Sequence, residues 1–247
     1  MTDPRHYVVL GATGGIGSEL CRRLAVKGAR LTIGARSETN LVKLAEELDA
    51  HAVVVDATRS DQVEHFFAEA IRARGPISGV VHCVGSLLLK PAHLTSDVEW
   101  AGTLETNLTS AFFVVRAAAR AMMQTGGSVV LVSSVVSHVG LANHEAIAAA
   151  KAGLIGLMRS AAATYAPRGI RFNAVAPGLV RTPLTARLTN SESALRASVA
   201  MHPLGRIGEP SDVASAIEWL LDPAQSWITG MVIAVDGGLG AIRPRPM

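Results

Sequence analysis

The chain has 247 residues, of which 49% are hydrophobic and 17% charged, with a formal charge of +3. A charged share this far below the roughly 25% of ordinary soluble domains leaves little polar material to cover a monomer, and so predicts burial between subunits. The basic residues stand singly or in pairs with no aromatic interleaving, which argues against nucleic acid as a partner. No long uncharged apolar run or secretory leader is evident, so the expectation is a cytoplasmic chain with no membrane partner.

Apolar, β-type runs alternate with helical periods from end to end. Strands are predicted over 7–10, 30–34, 52–55, 80–84, 128–132, 171–175 and 232–235, and helices over 16–27, 40–48, 62–73, 98–123 and 146–165. Strands separated by helices imply right-handed crossovers. The predicted fold is therefore one α/β domain over 1–247, doubly wound in the Rossmann manner, with about seven parallel strands and helices on both faces. The arginine- and proline-rich tail 240–247 is expected to be loosely held. Cys21 and Cys83 fall in a predicted helix and at a predicted strand end and are expected as reduced thiols; no Cys, His and carboxylate cluster has metal-ligand spacing.

The first strand runs into Gly11-Ala12-Thr13-Gly14-Gly15-Ile16-Gly17 and then a helix. Glycines at 11, 15 and 17 permit a tight turn, close approach of backbone to a phosphate and close packing of helix on strand, while the helix N-terminus offers amides to a pyrophosphate. At the end of the second strand stand Ala35, Arg36 and Ser37. A carboxylate there would bind a ribose diol and repel a 2′-phosphate; a small residue followed by arginine gives that phosphate room and a charge-assisted partner. NADP is favoured over NAD on this ground, with a solvated loop arginine as the alternative for Arg36.

The GATGGIG loop, Asp56 after the third strand, Gly85 after the fourth, Asn107, Ser134, AAAKAGLIGL, GIRFNAVAPGLVRTPLT, GRIGEPSDVA and ITGMVIAVDGG occur in an order that resembles the short-chain dehydrogenase/reductase family, and its 3-oxoacyl-carrier-protein-reductase-like branch in particular. The resemblance covers nearly the whole chain. It implies that Gly11, Thr13, Gly15, Ile16 and Gly17 cradle the cofactor, and that Asp56, with Ala57 beside it, holds the adenine. It also implies that Gly85 passes beneath the cofactor, that Lys151 holds the ribose, and that Pro177, Gly178, Val180 and Thr182 reach the nicotinamide amide. The segment His82-Cys83-Val84-Gly85 departs from the family's Asn-Asn-Ala-Gly. The long helices 98–123 and 146–165 resemble the four-helix interface of family tetramers, so a homotetramer or homodimer is expected.

By the same resemblance a tyrosine transfers the proton, a lysine lowers its pKa, a serine orients the carbonyl and an asparagine supports a water relay. Carried over, these give Asn107, Ser134 and Lys151, and the tyrosine position, four residues before Lys151, holds Ile147. Residues four apart are neighbours on a helix face, and isoleucine cannot donate a proton. Of the two tyrosines, Tyr7 opens the first strand, and Tyr165 lies fourteen residues beyond Lys151, about 21 Å along the helix. The candidates for the missing donor are His144, since imidazole titrates near neutrality, its neighbour Glu145, Ser134 itself, and a water held by Ser134, Asn107 and Lys151. The expected activity is an NADPH-dependent reduction of a small carbonyl compound, or the reverse oxidation of an alcohol, with a nonstandard proton donor. The alternatives are a catalytically inactive cofactor-binding subunit or sensor, and a dehydratase or isomerase using Lys151 or His144 as base. The predicted substrate pocket is formed by 87–89, 136–144 and 184–201.

Overall fold

A computed structural model describes residues 4–243. Its centre is a seven-stranded parallel sheet of β1 (His6–Leu10), β2 (Arg30–Ala35), β3 (His51–Val54), β4 (Gly79–His82), β5 (Gly127–Val132), β6 (Ile170–Pro177) and β7 (Val232–Val235), in spatial order 3-2-1-4-5-6-7. The strands are short and apolar because both faces are covered, as parallel sheets require. Alternation sends Val8 and Leu10 to one face and Tyr7 and Val9 to the other.

The first face packs under α3 (Ser60–Arg74), α5 (Ser110–Met122) and α6 (Glu145–Tyr165), around Phe66, Phe172 and Leu154. The second packs under α1 (Gly15–Val26), α2 (Glu38–Leu48) and α9 (Pro210–Leu221), around Leu20, Leu41 and Ile217. The strand order reverses between β1 and β4. At such a switch point the connections leave in opposite directions and open a crevice at the carboxyl ends of the strands.

The predicted helix over 98–123 is interrupted. It consists of α4 (Asp97–Leu104), a π-helical turn Glu105–Thr109, and α5. Apolar periodicity cannot register a single inserted residue, and π turns concentrate at functional sites. Helix α6, extended to Arg168, has a mean hydropathy of 1.3 over an 18-residue window and is long and apolar enough to cross a membrane, but it carries Lys151 and Arg159, and half of that window is buried against the rest of the fold. Two short helices, α7 (Ala186–Thr189) and α8 (Glu192–Met201), follow β6.

Of the tail expected to be loose, residues 244–247 lie outside the described residues. The part before them is fastened: the Gly240 amide donates to Asp236 Oδ2 at 2.9 Å and the Ile242 amide to the Gly238 carbonyl at 3.1 Å. Both cysteines are free; burial raises the Cys21 thiol and pushes Cys83 up to about 12.

Candidate active site

The crevice beyond β1 and β4 is built on glycine. Gly11 has φ +77°, and a Cβ there would come within 2.8–2.9 Å of the Cys83 and Val84 backbone. A Cβ on Gly17 would collide with the Gly11 carbonyl, and one on Gly15 would meet Thr182 Cγ2 at 2.8 Å. Gly14 caps α1 without a side chain, so the amides of the first turn face the crevice uncapped by any side chain and suited to an anion. Replacing Gly11 by alanine is expected to destabilise the fold by about 2–4 kcal/mol, through left-handed strain and backbone overlap, and to abolish nucleotide binding. Urea unfolding and nucleotide titration check this.

Arg36 and Ser37 are exposed just past the end of β2, beyond the buried Ala35. Asp56 Oδ1 accepts bonds from the Thr58 amide at 3.0 Å and the Thr58 hydroxyl at 2.8 Å. Partial burial acts to raise its carboxyl. The two Thr58 bonds, with Arg36 and Arg59 nearby, outweigh this and hold it below the ordinary aspartate range. Next to it, Ala57 is buried.

Next to this cradle lies a cavity of about 410 Å³ lined by Ile16, Gly85, Asn107, Ser134, His144, Ile147, Lys151, Pro177, Gly178, Val180 and Thr182, among others. Expected site residues as far apart in sequence as Ile16 and Thr182 are therefore brought to one cavity. Leu87, Leu89, Val136, Leu184, Leu188 and Met201 close it on the side predicted for substrate.

Lys151 is buried, and its Nζ donates to the Val132 carbonyl at 2.9 Å. Burial lowers its ammonium to about 8, with the nearby Cys83 acting weakly the other way. The helix is docked by the first serine of the pair: Ser133 Oγ donates to the Lys151 carbonyl at 3.1 Å, while Ser134 Oγ accepts the Val136 amide at 3.4 Å and reaches the cavity.

Asn107 is buried and lines the cavity. Its Nδ2 donates to Ser86 Oγ at 2.8 Å and the Thr103 carbonyl at 3.0 Å, and its Oδ1 accepts the Ser86 amide at 3.1 Å. Those bonds tie the Ser86 backbone and side chain to the π turn, so the Asn107 side chain positions the loop beside the cavity.

His144 does line the cavity. Its Nδ1 donates to the Ala142 carbonyl at 2.7 Å, which leaves Nε2 as the nitrogen able to exchange a proton. Glu145 is exposed outside the cavity lining, with Oε1 3.4 Å from the Ala92 amide, and is removed as a donor. Among the described residues no tyrosine lines the cavity: Tyr7 pairs with Leu31 and Gly79 at the start of the strands, and Tyr165 packs on Phe172 at 5.8 Å.

Two histidines support the site without having been singled out for it. Ser110 Oγ donates to the Thr106 carbonyl at 2.6 Å, so His82 Nε2 is the donor in its 3.0 Å bond to Ser110 Oγ, and the pair braces the π turn. Burial, with the Lys151 charge adding to it, pushes His82 down to about 3 and keeps it neutral. His202 Nε2 accepts the Leu179 amide at 3.2 Å while its Nδ1 donates to the Ser198 carbonyl at 2.6 Å, holding the loop after β6 against α8. The departure at position 82 was a visible signal; His202 carried none.

The family model described as enoyl-(acyl carrier protein) reductase matches residues 11–240. Galactitol 2-dehydrogenase (L-tagatose-forming) of Cereibacter sphaeroides is 37% identical over 96% of this chain and 95% of its own. The 3-oxoacyl-(acyl-carrier-protein) reductase of Vibrio cholerae is 34% identical over 94% and 96%. A short-chain type dehydrogenase/reductase from Mycobacterium ulcerans superposes with a TM-score of 0.93 at 32% identity, covering 97% of this chain and 90% of that one. A variant of actinorhodin polyketide ketoreductase solved with NADPH does so with a TM-score of 0.93 at 30% identity, covering 98% and 99%. With a family model over residues 11–240 and relatives more than 30% identical over nearly the whole chain, the chain belongs to the short-chain dehydrogenase/reductase family of oxidoreductases.

Proposed function

We propose that this protein is an NADP(H)-dependent oxidoreductase that moves hydride between the nicotinamide and a small uncharged carbonyl or alcohol, with a proton donor other than tyrosine. The observation that carries the reading is the convergence of Ser134, His144, Ile147 and Lys151 on one apolar cavity continuous with the glycine cradle. When bound, the nicotinamide supplies the hydride in reduction and accepts it in oxidation. Ser134 is free to donate its hydroxyl proton to the carbonyl oxygen, since its bond with the Val136 amide uses the oxygen only as acceptor. Lys151 is held for the ribose by Val132 and Ser133. His144 in its imidazolium form donates from Nε2.

Arg36 supports the preference for NADP because it is exposed at the strand end where a 2′-phosphate would lie, with the small Ala35 before it. Removing a charge-assisted bond to phosphate costs about 1.5–3 kcal/mol. Arg36→Ala is therefore expected to weaken NADPH binding by about 10–100-fold and leave NADH within about twofold, read by fluorescence titration. Equal losses for both nucleotides would count against NADP. Turnover is tested by NADPH oxidation across a panel of apolar aldehydes and ketones, with His144→Ala beside the parent; equal rates would remove His144 from the proton path.

The exposed apolar side chains Val98 at 81%, Phe112 at 45% and Trp227 at 98% support a homodimer or homotetramer.

A further inference from the structure

We propose that Lys151 is also a nucleophilic amine: in the nucleotide-free protein its Nζ condenses with small uncharged aldehydes that enter the cavity and forms an imine. The inference rests on the cavity and not on the cofactor reading, because the reaction needs no nucleotide.

Three features of the geometry carry it. First, no carboxylate is among the described residues lining the cavity, and the acceptor bonded to Nζ is the neutral Val132 carbonyl at 2.9 Å. Second, Ile147, one helical turn earlier, is apolar and buried, so the neighbour on that face supplies neither a counterion nor a competing proton. Third, Gly85 leaves the approach open: a Cβ there would lie 3.5 Å from Nζ, in space the missing side chain leaves clear. An amine desolvated in an apolar pocket without a counterion is the arrangement that activates lysine toward carbonyls.

The other lysines contrast with it. Lys90 sits 2.8 Å from Glu99, Lys27 pairs with Glu218, and Lys43 is exposed. Burial lowers Lys151 to about 8, so a substantial neutral fraction exists near physiological pH.

The step balances without an oxidant or reductant. The Nζ lone pair forms a C–N bond to the carbonyl carbon, one proton passes from nitrogen to oxygen to give the carbinolamine, and the C–O bond then breaks as the hydroxyl leaves with the second nitrogen proton as water, so that the nitrogen pair forms C=N.

The test is a short pulse of hexanal with sodium cyanoborohydride on nucleotide-free protein, followed by proteolysis and mass spectrometry. Four lysines make the assignment simple. The Lys151 peptide is expected to be alkylated about tenfold faster than the Lys43 peptide at neutral pH, with a rate that rises through about pH 8. Lys151→Arg should lose that fast phase and keep the slow ones. Labelling of Lys151 no faster than Lys43, or with the same pH dependence as Lys43, overturns the proposal. Because the parent peptides are compared with one another, the result does not depend on the variant folding.

Discussion

Ile147→Tyr is expected to raise the turnover of NADPH-dependent carbonyl reduction by about 10²–10⁴-fold, the range a positioned general acid contributes. The side chain at 147 is 3% exposed, lines the cavity beside Ser134 and stands one turn before Lys151, so a phenol there meets both the carbonyl site and the ammonium. An adjacent cation favours the phenolate and brings tyrosine toward neutral pH. The small cluster of Val135, Val136 and Leu239 around Ile147 borders a cavity of about 410 Å³, which gives the larger ring somewhere to go. The effect belongs in kcat, with KM for the carbonyl changing little, since the interaction forms as the oxygen gains charge. Steady-state kinetics on parent and variant check it; an unchanged kcat in a folded, nucleotide-binding variant would contradict the assignment of position 147.

Lys151→Met is expected to stabilise the nucleotide-free protein by about 1–3 kcal/mol at pH 7 and to weaken nucleotide binding. The folded-state value of about 8 lies below the ordinary lysine value. Between the two the unfolded chain holds a proton the folded chain has released, so the Lys151 contribution to stability rises with pH across that window and is lowest below it. Its full span is about 3 kcal/mol, reduced in the variant comparison by the Val132 carbonyl left without its donor. Cys21 and Cys83 act in the opposite sense, because both thiols are raised on folding and ionise first in the unfolded chain. Urea midpoints from pH 7 to pH 10 are expected to converge as the pH rises; a variant less stable than the parent at pH 7 would contradict the desolvation account.

Alternating strands and helices were enough to predict the doubly wound sheet, because each element is short, apolar and bounded by turns. The glycine cradle was legible for the same local reason: Gly11, Gly15 and Gly17 have no alternative use at a strand-to-helix junction, and each would overlap a neighbour if it carried a Cβ. Contacts made through the backbone were not legible. Nothing in Asn107 itself says that its amide is taken up by Ser86 and Thr103, and the π turn that places it adds one residue to a helix whose apolar period barely changes. His202 was hidden because its partners, the Leu179 amide and the Ser198 carbonyl, are main-chain groups available at any sequence. Glu145 shows the converse: adjacent to His144 in sequence, it turns outward because consecutive residues of a helix point about 100° apart.

Hydride transfer by this site is tested most directly with NADPH deuterated at C4 of the nicotinamide, homogeneous parent protein and an apolar ketone. The expected result is deuterium on the carbinol carbon of the product, with one nucleotide oxidised for each alcohol formed. Tight NADPH binding with no deuterated alcohol over many hours, across the whole carbonyl panel, would contradict it.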